Sequence, residues 1–287
     1  MKKFKIKSFC KINLSLRVLK KLKNGYHSIE SLVTFCDLFD VISISKINRK
    51  KDKISFSGDF KRGINLKSNT ITKVLHLLRK GEFLQNHVFK INIKKNIPHG
   101  SGLGGGSANA ADILNFLNSK MNLRLNRKEL EKIACKVGFD VPLSLERKNT
   151  FISGKLGKIV RYNSKFLLNV LIVYPNIISS TKRIYEKSKK FNPLKSNSKF
   201  DIKNRKKLII LLKKEDNDLQ KVVVKYYPKV RKIINIIKEQ NGCYFSRITG
   251  SGSACIGIFS NVKNAIYAKK LIKLKFPKYW CVVSKTI

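Results

Sequence analysis

The sequence has few acidic residues: 17 Asp and Glu stand against 62 Lys and Arg, which gives a formal net charge of +45. Such a charge attracts polyanions nonspecifically and makes their binding sensitive to salt. The basic residues nevertheless run from Lys2 to Lys285, mostly beside Ile, Asn or Phe, and do not cluster on one arm. We interpret the charge as the compositional drift of an AT-biased genome and expect no specific nucleic-acid partner.

Signals for metal centres and membrane attachment are missing as well. The six cysteines form no C-x-x-C pair and no zinc-type spacing, so we predict no metal site built from them. No run of 18 or more apolar residues occurs, and the first residues carry no apolar stretch typical of a signal peptide. We therefore expect a cytoplasmic protein with reduced thiols and no membrane partner.

Strand-like and helical patterns alternate along the whole sequence. Residues 69–80 carry apolar side chains at helical spacing, and Asn126 with Glu129 three positions later matches a capping box. The alternation predicts an α+β fold with a boundary near residue 160, and hence domains over 1–160 and 161–287. In the second half we expect strands over 167–174, 244–248, 254–259 and 280–284, helices over 206–214, 218–239 and 261–273, and a loop or frayed helix over 186–206.

The densest signal is a glycine-rich segment between a strand-like run, 88–93, and a helical pattern that begins at Ser107. Glycines let backbone N–H groups approach an anion without interference from a Cβ atom. A helix start adds unpaired N–H groups and the positive end of the helix dipole. We therefore predict a site for the phosphates of a nucleotide, formed by Pro98, His99, Gly100, Ser101, Gly102, Leu103, Gly104, Gly105, Gly106, Ser107 and Ala108.

Other interpretations of these glycines are weaker. Gly100, Gly102 and Gly105 match the dinucleotide fingerprint, but two helices follow where a Rossmann unit requires a strand ending in an acidic residue. A Walker A loop requires Gly-Lys followed by Ser or Thr, and no lysine follows these glycines. A flexible linker would not lie between a strand and a well-formed helix.

Lys11 and Asp140 are the best candidates for the chemistry itself. Phosphoryl transfer to an alcohol requires in-line positioning, charge neutralisation and a group that accepts the hydroxyl proton. Asp140 follows the helix stop at Gly138, and Pro142 comes two positions later, so from spacing alone Asp140 could equally be a cap of the next helix. Lys11, taken by itself, is one lysine among many.

Two further segments carry candidate side chains. Tyr26 and His27 follow a turn signal at Asn24-Gly25 and could present a stacking ring and a hydrogen-bonding imidazole, although a partly exposed hairpin pair is the usual outcome. The glycines of 249–253 lie between two strand-like runs and by themselves indicate a tight turn. Next to a phosphate loop, that turn would form a second wall packed against it.

Together these segments resemble the GHMP kinases, named for galactokinase, homoserine kinase, mevalonate kinase and phosphomevalonate kinase. Three motifs match in order, at Lys11 to Leu14, Pro98 to Ala108 and Ile248 to Gly252, and the resemblance covers essentially the whole chain. It implies an ATP-dependent kinase of a small molecule with two lobes. The N-terminal lobe would be a ribosomal-protein-like α/β domain and the C-terminal lobe a ferredoxin-like α/β sandwich, and ATP and the acceptor would meet between them.

Within that family, four segments point to one kind of acceptor: Asn24 to His27, Gly102 to Ala111, Asp140 to Pro142, and Asn217 to Leu219. They resemble members that phosphorylate the 2-hydroxyl of a diphosphocytidyl-linked methylerythritol in the non-mevalonate route to isoprenoids. The resemblance implies a cytidine-diphosphate-linked small molecule as the partner of the site.

The resemblance also implies roles at the reacting end of the acceptor. Asp140 would be the general base that takes the proton of the 2-hydroxyl. Lys11 would hold Asp140 ionised and orient the hydroxyl, since a nearby cation favours a carboxylate. Asn13 would help to place the acceptor.

At the base end of the acceptor, the resemblance assigns stacking on the cytosine to Tyr26 and a hydrogen bond with it to His27. Tyr185 falls where the family places an aromatic ring on the other face of that base, and Thr181 is assigned to the same acceptor site.

On the nucleotide side, the resemblance implies that Asn69 and Lys95 lie near the adenosine. Mg²⁺ is expected with ATP, near Ser107, although the sequence shows no dedicated carboxylate cage. The chain departs from the family pattern at Ser101, where Gly or Ala is usual, and at Phe139, where Ala is usual. Ser101 is benign if its backbone does the binding, whereas Phe139 could reshape the pocket wall.

Three alternatives stay open at this point. The chain could be another GHMP kinase, with a homoserine- or mevalonate-type acceptor, although the cytosine-side residues argue against it. It could be a basic nucleic-acid-binding protein, or a degenerate kinase fold kept as a scaffold; intact Lys11 and Asp140 argue against the scaffold. The sequence is compatible with either a monomer or a homodimer.

Overall fold

A computed structural model of the chain describes residues 2–23, 25–84, 87–153, 158–189, 191–192 and 204–287. The chain forms two compact units that are interleaved along the sequence. Unit 1 comprises Met1–Lys11, Leu38–His99 and Gly104–Arg147, and unit 2 comprises Ile12–Asp37, Gly100–Leu103 and Lys148–Ile287. The division into domains at residue 160 stays a prediction.

Unit 1 packs helices on strands. Strand β1 (Phe4–Asn13) begins in this unit, and the long β3 (His27–Lys46) ends in it. From Val41 to Lys46, β3 pairs antiparallel with β5 (Phe89–Lys94), which pairs parallel with β4 (Lys53–Ser57). Apolar residues of β3 and β5 form one buried core with residues of the helices α1 (Thr70–Lys80), α2 (Gly105–Lys120), α3 (Arg127–Val137) and α4 (Val141–Ser144).

The helix starts of unit 1 follow from capping chemistry. Asn69 and Thr72 form a capping box at α1, which confirms the helix predicted over 69–80. Asn126 and Glu129 form the predicted capping box at α3. Helix α2 begins at Gly105, two residues before the predicted start, so two glycines of the phosphate loop lie in its first turn.

Unit 2 contains a four-stranded antiparallel sheet in the order β11-β8-β10-β9. These strands are β8 (Asn169–Tyr174), β9 (Cys243–Ile248), β10 (Cys255–Phe259) and β11 (Trp280–Lys285). Helices α8 (Pro228–Lys238) and α9 (Val262–Lys275) share a buried core with strands of this sheet. This β-α-β-β-α-β arrangement confirms the predicted ferredoxin-like half and the α+β class.

The rest of unit 2 contains further strands. Strand β2 (Arg17–Lys21) pairs with the start of β3. Strand β6 (Asn149–Ser153) pairs with β3 and with β7 (Lys158–Tyr162), and the sequence patterns predicted neither β6 nor β7. The remaining helices are α5 (Thr181–Glu186), α6 (Arg205–Lys214) and α7 (Gln220–Tyr226).

The second half of the chain differs from the prediction in its helical region. The single helix predicted over 218–239 is wrong: the chain breaks after Tyr226 and resumes as α8, because Pro228 lacks an N–H group and suits the first turn of a new helix. The loop predicted over 186–206 lies mostly outside the described residues. Among the residues that the structure describes, no helix is long and apolar enough to cross a membrane.

Candidate active site

The C-terminal part of the phosphate loop lies in unit 1 and passes very close to other residues. Gly104 has a φ of +69° and precedes the first turn of α2. A Cβ atom on Gly104 would lie 2.7 Å from Lys11 Cγ, and one on Gly105 would lie 2.9 Å from Ile97 Cγ2. Because no side chain caps this end of α2, its backbone N–H groups can bind an anion.

Lys11 and Asp140 form an ion pair in the same unit. Lys11 Nζ lies 3.3 Å from Asp140 Oδ2; the lysine side chain is 4% exposed and the aspartate side chain 35%. Asp140 occupies the N-cap position of α4, with Pro142 in the first turn as the spacing indicates, but its side chain makes no capping hydrogen bond. The structure thus brings together the two residues proposed for the chemistry and leaves the carboxylate partly accessible.

The adenosine-side candidates, Asn69 and Lys95, are engaged within unit 1. The Asn69 side chain accepts hydrogen bonds from the N–H groups of Ile71 and Thr72 and so caps α1. Lys95 is only 2% exposed and forms an ion pair with Asp40. Their placement near the adenosine stays a prediction.

One hydrogen bond and one buried nitrogen are further features of the loop in unit 1. Thr70 Oγ1 donates a hydrogen bond of 2.9 Å to the carbonyl of Gly106, which ties the start of α1 to the loop. His99 Nδ1 is buried and has no hydrogen-bond partner among the described residues. Within the same described part of the chain, no group of three or more His, Cys, Asp or Glu side chains could hold a metal ion.

The N-terminal part of the loop, Gly100–Leu103, lies in unit 2 against the turn at 249–253. A Cβ atom on Gly102 would lie 2.1 Å from the carbonyl oxygen of Thr249 and 3.1 Å from the nitrogen of Gly252. The carbonyl of Ser101 accepts a hydrogen bond from Ala254 N–H at 2.9 Å. The turn therefore forms the expected second wall, and Ser101, although it departs from the family pattern, contacts that wall through its backbone.

The Asn217 to Leu219 motif is connected to this site by the side chain of Asn217. Its Nδ2 donates to the carbonyls of Ile248 at 3.2 Å and Gly250 at 2.9 Å, and its Oδ1 accepts from Leu219 N–H. Asp218 meanwhile accepts a hydrogen bond from Val18 N–H. The motif thus supports the turn that contacts the phosphate loop.

The cytosine-side candidates His27 and Tyr185 are neighbours in unit 2. Their ring centroids lie 5.2 Å apart with an interplanar angle of 34°. His27 is buried, and its pKa is lowered, first by burial and then by the charge of Lys21. Tyr26, by contrast, is 59% exposed, so its ring can take up a ligand. Asn24, part of the predicted turn, lies outside the described residues.

Asn13 and Thr181 occupy structural positions near the turn at 249–253, also within unit 2. The backbone N–H of Asn13 donates to Thr249 Oγ1 at 2.9 Å, and its side-chain amide donates to Ser31 Oγ at 2.8 Å. Thr181 Oγ1 lies 2.8 Å from Ser251 Oγ, which ties the start of α5 to the turn. Tyr185 lies one helical turn further along α5.

Sequence reasoning missed one aromatic residue next to this group. The Phe191 ring lies 6.1 Å from the His27 ring, with an interplanar angle of 32°. No motif singled it out, because it follows a Lys-rich stretch with neither periodicity nor turn signals. The signal in the sequence that could have drawn attention to Phe191 is its aromatic side chain, six positions after Tyr185.

The comparisons with known proteins agree with this geometry. The model of the GHMP kinases N terminal domain matches residues 69–147, and the GHMP kinases C terminal model matches residues 200–271. A 4-diphosphocytidyl-2-C-methyl-D-erythritol kinase of Pelagibacter ubique is 38% identical over the full length of both chains. The chain belongs to the 4-diphosphocytidyl-2-C-methyl-D-erythritol kinase branch of the GHMP kinases. The kinase of that name from Anaplasma phagocytophilum is 34% identical, over 100% of this chain and 96% of its own.

Solved structures show the GHMP fold in more distant relatives. A crystal structure of a 4-(cytidine 5′-diphospho)-2C-methyl-D-erythritol kinase has a TM-score of 0.77 at 21% identity, and covers 99% of this chain and 100% of its own. A homoserine kinase from Cytophaga hutchinsonii has a TM-score of 0.71 at 15% identity, over 100% of this chain and 95% of its own. Because a GHMP fold hosts several acceptors, fold similarity alone does not select one.

Proposed function

We propose that the chain transfers the γ-phosphoryl group of ATP to the 2-hydroxyl of 4-diphosphocytidyl-2-C-methyl-D-erythritol, giving the 2-phosphate and ADP. Full-length relatives named for this activity support the acceptor. The observation that carries the chemistry is the ion pair between Lys11 and Asp140, whose carboxylate stays partly accessible. We also propose that the reaction takes place in the cytoplasm, where ATP is supplied.

In this mechanism, Asp140 accepts the proton of the acceptor hydroxyl while the hydroxyl oxygen attacks the γ-phosphorus in line with the departing ADP. Lys11, 3.3 Å from Asp140 Oδ2, orients the carboxylate and offsets the negative charge of the reacting groups. The backbone N–H groups at the start of α2 bind the phosphates, since glycine there leaves the approach open.

The metal ion that accompanies ATP fits this arrangement without a cage of acidic side chains. Mg²⁺ usually takes most of its ligands from phosphate oxygens and water, with one or two from the protein. Ser107, whose hydroxyl lies in the first turn of α2, would be a protein ligand of the ion. The ion would neutralise charge on the transferred phosphoryl group.

Residues of unit 2 would recognise the cytidine end of the acceptor. Tyr26 and Tyr185 would supply rings for stacking on the base, and His27 would exchange a hydrogen bond with it. The lowered pKa of His27 supports this role, because a neutral imidazole offers both a donor and an acceptor nitrogen.

The test is a substrate panel with purified protein, ATP and Mg²⁺. We expect ADP release and a new phosphomonoester signal in ³¹P NMR with 4-diphosphocytidyl-2-C-methyl-D-erythritol. Homoserine, mevalonate and methylerythritol 4-phosphate, which lacks the cytidine, serve as competing acceptors and should give little product. Turnover of homoserine or mevalonate without turnover of the cytidyl compound would contradict the proposal.

A further inference from the structure

A chain of buried polar groups runs beneath the phosphate loop in unit 1. Its members come from two strands, the segment after β5, and helix α2, and none is more than 8% exposed. They are Ser8, Asp40, Lys95, Asn109 and Asp112. Buried charged and polar groups are costly unless paired, so a linked set of five requires an explanation.

Hydrogen bonds connect these groups in order. Lys95 Nζ donates to Asp40 Oδ2 and, at 2.9 Å, to Asn109 Oδ1. Asn109 Nδ2 donates to Ser8 Oγ at 3.0 Å, and Ser8 in turn hydrogen-bonds with Asp112. Asp112 accepts from Arg147 Nη2 at 2.7 Å. The chain is therefore continuous from Asp40 to Arg147.

One end of this chain supports the residues that lead into the phosphate loop. Asp40 Oδ1 accepts hydrogen bonds from the backbone N–H groups of Asn96 at 2.8 Å and Ile97 at 2.9 Å. A Cβ atom on Gly105 would lie 3.4 Å from Asp40 Oδ2 and 2.9 Å from Ile97 Cγ2. The first residue of α2 thus rests directly on Asp40 and Ile97.

The other contact of Lys95 fixes the same helix one turn later. Asn109 lies four residues after Gly105, so Lys95 joins the platform under the first residue of α2 to the second turn of that helix. A buried ion pair is weak evidence for stability, because apolar residues of similar volume often serve as well. Its position beneath the anion-binding turn is therefore the informative feature.

We propose that Asp40, Lys95 and Asn109 are positioning residues for the nucleotide phosphates: they hold the first two turns of α2 so that its backbone N–H groups face the phosphates. The Lys95 side chain, at 2% exposure, then acts through Asp40 and Asn109, and its ammonium group does not touch the nucleotide. The inference depends on the proposed function only for the phosphate loop as a nucleotide site, and not for the acceptor.

The experiment measures the affinity of the full chain for ADP with Mg²⁺ by calorimetry, together with melting temperature. Asn109→Leu and Lys95→Met each cut the link while nearly keeping side-chain volume. We expect each to weaken ADP binding about tenfold, since small misplacements of binding groups are costly. The double variant should lose no more than the worse single variant, because both changes break one link.

Asp52→Asn is the matched control. Asp52 accepts from Arg79 Nη1 at 2.7 Å and from Phe89 N–H at 2.9 Å, so it combines an ion pair with a backbone contact, as Asp40 does, but in a different ion pair. We expect this variant to lower the melting temperature while ADP affinity stays within about twofold of the native value.

Three results would overturn the proposal. ADP binding by Asn109→Leu within about twofold of native would remove the link from nucleotide binding. An equal loss in Asp52→Asn would mean general loosening of unit 1. Additive losses in the double variant would mean that Lys95 contacts the nucleotide itself. If Lys95→Met does not fold, the ADP affinities of Asn109→Leu and of Asp52→Asn are sufficient to test the proposal. ADP binding needs no acceptor, so failure of the substrate panel leaves this test intact.

Discussion

The residues assigned to the phosphates and those assigned to the base are fixed by the fold in different ways. In unit 1, the loop is defined by backbone shape: Gly104 lies against Lys11, and Gly105 lies against Ile97, each too closely for a Cβ atom. In unit 2, the cytosine-side residues are separate side chains, and Tyr26 is 59% exposed. A methyl group added at Gly104 or Gly105 should therefore weaken nucleotide binding. In unit 2, acceptor binding should instead depend on which side chains carry aromatic rings.

The largest expected effect comes from the reacting carboxylate. Asp140→Asn keeps the shape of the side chain but removes its ability to accept a proton, so kcat should fall about 10²–10⁴-fold. The KM for ATP should change little, because Asp140 acts on the acceptor hydroxyl, whereas backbone N–H groups of α2 bind the phosphates. Steady-state kinetics with both substrates measure the two constants.

The control for that variant is Asp59→Asn, which removes the same charge from an exposed residue of unit 1. It should keep native kcat. Native turnover in Asp140→Asn would remove the assignment of Asp140 as the base, whereas equal losses in both variants would point to the overall charge.

Gly104→Ala tests whether the backbone shape of the phosphate loop is required for the reaction with ATP. A φ of +69° strains a residue with a Cβ by roughly 1–3 kcal/mol. The new Cβ would also lie 2.9 Å from Lys11 Cε and displace the lysine from Asp140. We expect kcat/KM for ATP to fall about 100-fold, since such displacements are costly.

Gly106→Ala is the milder counterpart. Its Cβ would meet only Thr70 Oγ1, at 3.8 Å, and its φ is not in the left-handed region. The loss of kcat/KM should be at least about tenfold smaller than for Gly104→Ala, because only the latter strains the backbone. Equal losses in the two variants would contradict the claim that close approach to Lys11 explains Gly104.

These residues also show what the sequence could and could not predict. The phosphate loop, the helix over 69–80 and the capping box at α3 depend on neighbours in sequence, so local patterns predicted them, whereas the capping box at α1 emerged only from the structure. The pairing of Lys95 with Asp40 joins residues far apart in the chain, and no local pattern contains it. Lys11 looked like any other lysine for the same reason; only the fold brings its ammonium group to Asp140.

The missed strands have a different cause. Strands β6 and β7 have five residues each, and burial fails to alternate at the start of β6 and at the end of β7, so their periodicity is weak. They form because β6 pairs with β3 and β7 pairs with β6, which is a tertiary effect. The break at Pro228 was readable from the sequence, but the apolar spacing on both sides concealed it.

For the base-binding region, Tyr185→Leu removes the ring but keeps apolar bulk. Stacking of a base on an aromatic ring is worth roughly 1–3 kcal/mol, so the KM for the cytidyl acceptor should rise about tenfold or more. The KM for ATP should stay within about twofold, because the phosphates are bound by backbone groups. Tyr267→Leu, an exposed tyrosine of α9, should leave both constants unchanged. A rise in the KM for ATP alone would place Tyr185 on the nucleotide side.

The smallest effect is a pH dependence at His27. Burial, and then Lys21, lower its pKa below the ordinary 6.5, so the folded protein keeps this imidazole neutral above that pH. A lowered histidine pKa means that the stability and base recognition contributed by the neutral imidazole are present above pH 6.5 and decline as the pH falls through the lowered pKa. The KM for the acceptor should therefore be flat above pH 6.5 and rise below it. His27→Asn, which cannot titrate, should raise the KM at all pH values and abolish that rise; an unchanged rise would assign it to another group.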